Sequence, residues 1–161
     1  MHFPLPTLLL LLPTLALTSP TRRAPANAII ANHCPFPVTV YPVGSSVGPA
    51  TTLPANTGLY SEPLQRDAAT GGRALKIVSA PADLYTAGKA QTVFEYNLAG
   101  DGNVWYDLSD VFGDLFAGYK LVEGSRDASC GSVVWPQGVN PGGSQVRECG
   151  EGSDVVLDLC A

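Results

Sequence analysis

Between Thr92 and Phe116 the chain carries two runs of apolar–polar alternation on either side of Gly100-Asp101-Gly102. No other stretch constrains the fold as strongly. In the first run Phe94, Tyr96 and Leu98 share one face, with Val93, Glu95 and Asn97 on the other. In the second, Val104, Tyr106 and Leu108 alternate with Trp105, Asp107 and Ser109. A period of two flanking glycine-rich turn residues reads as a β-hairpin. Opposed residues in an antiparallel pair share a face, so the register follows from making the apolar faces coincide. A three-residue loop over 100–102 pairs Leu98 with Val104, Tyr96 with Tyr106 and Phe94 with Leu108. The same register sets Glu95 opposite Asp107. Like charges roughly 5 Å apart at Cβ destabilise a sheet, and they push one pKa upward, the usual basis of an acid/base pair. The pattern fits such a pair, and it also fits two carboxylates splayed into solvent.

The length of 161 residues suits one domain. The first 23 residues read as a secretory leader followed by a dibasic processing segment. An apolar stretch from Leu8 to Leu17 is too short to span a bilayer, small residues follow it, and Arg22-Arg23 lies just beyond. Cleavage after Thr18, after Ala28 or at the dibasic pair is compatible with the sequence. From Ala24 onward, seven of the nine Lys+Arg remain against all fourteen Asp+Glu, a formal charge of −7. That balance argues against partners that are nucleic acids or anionic membranes. No Asn-x-Ser/Thr acceptor occurs. The expectation is a secreted, soluble, monomeric domain over residues 24–161 without N-linked glycans.

Cys34, Cys130, Cys149 and Cys160 all fall in that domain. Four cysteines in a small secreted domain imply two bridges with three possible connectivities. Cys130 and Cys149 flank a Gly/Pro-rich segment, and Cys34 and Cys160 lie near opposite ends, which favours Cys34–Cys160 with Cys130–Cys149. No Cys-x-x-Cys spacing exists and His33 is the only histidine of the domain, so neither a metal site nor a cofactor is expected.

Short strands are expected over Ala28–Asn32, Pro37–Tyr41, Leu59–Glu62, Ala74–Ser79, Tyr119–Val122, Ser132–Trp135 and Asp154–Cys160, separated by Gly/Pro loops. Val43–Thr57 reads as loop, and Ala82–Ala87 as one helical turn at most. Strands without a sustained helical period mean an all-β sandwich or barrel.

Gly44-Ser45-Ser46-Val47-Gly48 matches a nucleophile-elbow string but lacks the strand before it and the helix after it that the motif requires. Asp107, Asp110 and Asp114 lack the spacing of a calcium loop. Trp105 shares a face with Glu95, Asn97 and Asp107. An indole beside carboxylates and amides suits a sugar, whose ring packs on the aromatic face while polar groups take its hydroxyls. The competing reading buries Trp105 under a loop. Trp135 reads as core.

Taken together, several segments resemble the small thaumatin-like proteins, and within them the fungal antigenic, yeast-phase-specific group. Ala28–Cys34 resembles that family's opening strand ending in Asn-x-Cys, and Gly71–Ile77 resembles its Gly-Gly-Lys-Ile strand. Thr92–Leu98 resembles Thr-Leu-Ala-Glu-Phe-Ser-Leu, and Trp105–Ser109 resembles Tyr-x-Asp-Ile-Ser. Leu157–Cys160 resembles the closing strand. The resemblance implies an antiparallel thaumatin/osmotin-like β-sandwich with little helix, and it supports the Cys34–Cys160 bridge. Larger members carry an acidic cleft, and some bind or hydrolyse β-1,3-glucan. Glu95 falls on the cleft glutamate and Asp107 on its first aspartate. The next cleft aspartate falls on Phe112, with Asp110 the nearest acid. The cleft arginine falls near Ala80, leaving Arg73 or Lys76 to replace it. These departures weigh against catalysis.

The reading is therefore an extracellular or cell-wall-associated, non-enzymatic protein that binds β-glucan-type polysaccharide weakly. Trp105, Asn97 and Asp110 would serve as ligand-binding residues beside Glu95 and Asp107. The rivals are an endo-β-1,3-glucanase with Glu95 and Asp107 as its catalytic carboxylates, and an inhibitor of a secreted hydrolase.

Overall fold

The alternation that marks the central hairpin recurs along the chain, and each recurrence becomes a strand with one face in the core. The computed structural model describes residues 26–161, so the leader and dibasic segment expected over residues 1–23 lie outside the described residues. In chain order the strands are β1 (Asn27–Asn32), β2 (Val38–Val43), β3 (Thr51–Leu53), β4 (Gly58–Pro63), β5 (Gly72–Val78) and β6 (Gln91–Leu98). They continue with β7 (Asn103–Val111), β8 (Leu121–Ser125), β9 (Ser132–Trp135), β10 (Val146–Gly150) and β11 (Val155–Leu159). A 3₁₀ turn, Pro81–Tyr85, lies between β5 and β6. Proline opens it, and the Asp83 carboxylate accepts the Ala80 backbone N–H at 3.1 Å.

The strands form two sheets, ordered β4-β1-β11-β8-β9 and β10-β7-β6-β5-β2-β3. The pairings are antiparallel except for β1 with β11, which run parallel, Ala28 beside Val155 and Asn32 beside Leu159. The first and last strands thus lie side by side within one sheet. In the hairpin, Phe94 faces Leu108, Glu95 faces Asp107, Tyr96 faces Tyr106 and Leu98 faces Val104, the register the alternation predicts. The Ala99 N–H donates to the Asn103 carbonyl at 3.0 Å, and Gly100 and Gly102 turn with φ of 83° and 95°. Those left-handed values favour glycine at both positions.

The core fills the space between the sheets. Ile30, Val40, Leu75, Ile77, Phe94, Tyr106, Leu108, Leu121 and Leu157 are buried there, with Trp135 and Phe116. Each such large side chain contributes about 1.5–3 kcal/mol through removal from water. The Trp135 indole N–H is not left unpaired, since it donates to Gln145 Oε1 at 2.7 Å. Asn32 explains the Asn-x-Cys string. Its Nδ2 donates to the carbonyls of Phe36 and Pro54, both at 3.0 Å, while Oδ1 accepts the Cys34 N–H at 3.1 Å. The side chain thereby fixes the exit from β1 where Cys34 bonds to Cys160. A second bridge joins Cys130 to Cys149.

Three features differ from the sequence expectation. Thr51–Leu53, read as loop, adds a three-residue edge strand. Val146–Gly150 forms β10 at the opposite edge of the same sheet, where no strand was expected. Strand β8 starts later than Tyr119 and ends at Ser125, which carries Glu123 into the core.

Glu62 on β4 joins the two sheets. Arg73 on β5 grips it with Nε at 2.8 Å and Nη2 at 3.0 Å, Tyr60 donates at 2.7 Å, and Tyr96 donates at 2.5 Å. Burial works against the Glu62 charge, but the bonds from Arg73, Tyr96 and Tyr60 outweigh it and hold the carboxyl below its ordinary range.

Candidate functional site

Since Phe94, Tyr96, Tyr106 and Leu108 face the core, the alternate positions of β6 and β7 face outward, and this outer surface carries the site. One row across the strands reads Val43, Ala74, Glu95, Asp107 and Val146. The next reads Gly72, Asn97, Trp105 and Glu148. Small residues on β5 keep the middle of this surface low. A Cβ on Gly72 would press on the Tyr96 carbonyl at 3.1 Å.

Two loops raise a wall beside this floor. Asp67 ties them together: it accepts the Ser45 N–H at 2.9 Å and Ser45 Oγ at 3.1 Å, and the N–H groups of Ala69 and Thr70 at 2.9 Å each. The backbone donors of Ser45, Thr70 and Ala69 hold its carboxyl well below the usual range. Floor and wall enclose an open groove of about 420 Å³, lined by Gly44 and Thr70 on the wall side and by Glu95, Asn97, Trp105 and Asp107 on the other.

Within the groove Trp105 remains 43% exposed, so its indole faces solvent and is not buried under a loop. Glu95 is exposed and Asp107 half-buried. Burial, then the charge of Glu95, push the Asp107 carboxyl up to about 6. Directly opposed side chains lie about 5 Å apart at Cβ. The pair therefore sets two carboxyl groups, one of them (Asp107) raised to about 6, beside an aromatic plate.

Asp110 stands apart. By alternation it lies on the other side of β7 from Trp105 and Asp107, where Thr92 Oγ1 donates to its Oδ1 at 2.6 Å. Burial raises its pKa to about 6, with Asp114 adding to the rise and the Thr92 bond offsetting part of it. It does not line the groove. Arg73 does reach the groove's lining, but both of its bonds go to Glu62. Lys76 stands one row further along, beside Val93.

Glu148 was not legible beforehand. It lies on β10 opposite Trp105 and accepts a bond from Asn103 Nδ2 at 2.9 Å. Only the strand pairing reveals its place, because no local pattern announces β10. Among the described residues, Asp127, Cys130 and Cys149 converge with metal-ligand spacing, but both cysteines are consumed by their disulfide and offer no thiolate.

The family described as Bys1, Blastomyces yeast-phase-specific protein, matches this chain over residues 15–161. The chain belongs to that family. Among solved structures, this Bys1-family chain resembles the protein elicitor MoHrip2 from Magnaporthe oryzae at 24% identity and a TM-score of 0.69, covering 84% of this chain and 99% of that one. It also resembles the thaumatin-like xylanase inhibitor TLXI at 16% identity and a TM-score of 0.52, covering 86% and 100%. Both likenesses establish the thaumatin-like sandwich for the Bys1-family chain. No curated protein sequence matches it significantly.

Proposed function

We propose that this Bys1-family protein is secreted, works outside the cell at or near the wall, and binds polysaccharide of the β-glucan type without cleaving it. The observation that carries the reading is the half-open groove in which the Trp105 indole lies beside Asn97, Glu95 and Asp107. An exposed aromatic face stacks on a pyranose, and the neighbouring amide and carboxylates accept and donate at its hydroxyls. The expected result is retention of the mature protein on insoluble β-1,3-glucan, weakened about tenfold or more by Trp105→Ala, with no reducing sugar released from laminarin. Wild-type protein that passes through the glucan unretained sinks the proposal.

One observation supports the catalytic alternative. Asp107, raised to about 6, faces Glu95 in the way a proton donor faces a carboxylate nucleophile. A separation of about 5–5.5 Å suits retaining hydrolysis. Sugar release from laminarin that disappears in Glu95→Gln would establish that reading instead. The fold shared with the thaumatin-like xylanase inhibitor TLXI supports a third reading, inhibition of a secreted hydrolase. Loss of xylanase activity on mixing, with no glucan retention, is its signature.

A further inference from the structure

The acids around the groove decide which glycan fits it. We propose that this groove selects a β-linked chain carrying free amino groups, a glucosamine polymer, over the neutral glucan of the same backbone. This rests on the groove being a glycan site, for which the cavity and the exposed indole are the grounds; the carboxylates only set the preference within that class.

Glu95 and Asp107 line the groove, and Glu148 occupies the position beside Trp105 on the neighbouring strand. The one cation of the lining is Arg73, whose Nε and Nη2 are spent on Glu62 at 2.8 and 3.0 Å. Among the lining residues, no free cation offsets Glu95 and Asp107. Trp105 and Asp107 are two residues apart on one face of β7, about 7 Å along the strand. A pyranose stacked on the indole bridges that distance with its ring substituents. A neutral sugar offers the carboxylates only hydroxyls in exchange for their water. A ring ammonium offers charge-assisted bonds, which are shorter and stronger.

The same geometry couples binding to protons. Asp107 faces Glu95 from β6, with Glu148 diagonal on β10, while Lys76 on β5 is a row away. Glu123 on β8 lies beneath the sheet, with Arg147 of β10 acting on it from the edge. Burial, then the charge of Glu95, oppose ionisation of Asp107, and an ammonium entering the groove favours it. Each ring that enters as an ammonium favours loss of the proton from Asp107, whose carboxyl is raised to about 6. A neutral chain has no such effect.

The test is calorimetric titration of the mature protein near pH 6 with a glucosamine hexamer and with neutral β-1,4- and β-1,3-glucose hexamers. Repeating it in buffers of different ionisation enthalpy reads the proton. The expected result is binding of the amino hexamer about tenfold tighter at low ionic strength, with a proton exchange that the neutral hexamers lack. That margin should shrink at high salt, as exposed charge pairs do. The double variant Glu95→Gln/Asp107→Asn should bring the hexamers to equal affinity, and Trp105→Ala should weaken all of them. Glu151→Gln, outside the groove, should leave the preference intact. Equal binding of all hexamers by wild-type protein overturns the preference and leaves the glycan site standing. A preference that survives the double variant, or one that Glu151→Gln removes, also overturns it. Failure of every hexamer to bind overturns the preference and the glycan site together.

Discussion

Glu123 is wholly buried, and neither of its carboxyl oxygens has a hydrogen-bond partner. Leu157 and Val133 flank it on the adjacent strands, and both are fully buried. Desolvation, then the like charges of Asp107 and Glu95, raise its pKa well above the ordinary value, with Arg147 opposing. The folded protein therefore holds this acid neutral, whereas the unfolded chain releases its proton near pH 4.3. Below that pH both states are protonated and the site has no effect on folding. As pH rises, ionisation favours the unfolded chain, and stability falls by up to about 1.4 kcal/mol per pH unit until the folded pKa is reached. The melting temperature should thus decline from pH 4.5 toward neutrality. In Glu123→Gln the decline should shrink to the smaller part owed to Asp107 and Asp110, both raised to about 6. Superimposable melting-temperature profiles for the two proteins would show that Glu123 finds water or a partner in solution. A glutamate between Val122 and Gly124 reads in sequence as solvent-facing, and only the offset of β8 turns it inward. Asp110, counted among the ligand-binding residues in sequence, lies on the opposite face from Asp107, as alternation carried one residue past Ser109 requires.

The hairpin of β6 and β7 was legible because two independent signals agree, a period of two and a glycine-bounded turn. Strand β10 was not, because its burial reads exposed, intermediate, exposed, buried, exposed, with Cys149 its only buried side chain. Edge strands protect themselves with charge and little apolar surface, which erases the pattern that would announce them. The groove was consequently half legible. Glu95, Asn97, Trp105 and Asp107 came from the hairpin register, whereas Glu148, the Asp67 wall and the low floor at Gly72 depend on pairings distant in sequence. With so little burial of its own, β10 relies on the Cys130–Cys149 bridge, which staples it to the loop before β9 across a separation of 19 residues. Closing a loop of that size stabilises by about 3 kcal/mol on the chain-entropy model. The double variant Cys130→Ala/Cys149→Ala should lose roughly that much in urea unfolding. Its amide protection should fall first over Val146–Gly150, with β6 and β7 still protected. Unchanged protection along β10 would mean that the ladder to β7 holds the edge unaided.

At the scale of the whole molecule, the first and last strands meet in the middle of one sheet, and Cys34–Cys160 locks them at a separation of 126 residues. The backbone marks the same closure: the His33 N–H donates to the Leu159 carbonyl at 3.1 Å, and the Ala161 N–H to that of Lys120 at 3.0 Å. Nearly every residue of the sandwich lies inside that loop. Ordering it without the bridge carries the largest closure entropy in the molecule, about 5 kcal/mol on the chain-entropy model. A domain of this size is stable by only about 5–15 kcal/mol in total. The two bridges therefore make a ranked prediction. Cys34→Ala/Cys160→Ala should lower the free energy of unfolding in urea by about 1.5 kcal/mol more than Cys130→Ala/Cys149→Ala does. It should also slow refolding, because the parallel pairing of β1 with β11 must then be found by diffusion across the whole chain. If instead the short-range pair proves the more costly to lose, closure entropy does not govern this fold. The parallel ladder and the Asn32 side-chain bonds would then be sufficient to hold the two ends together.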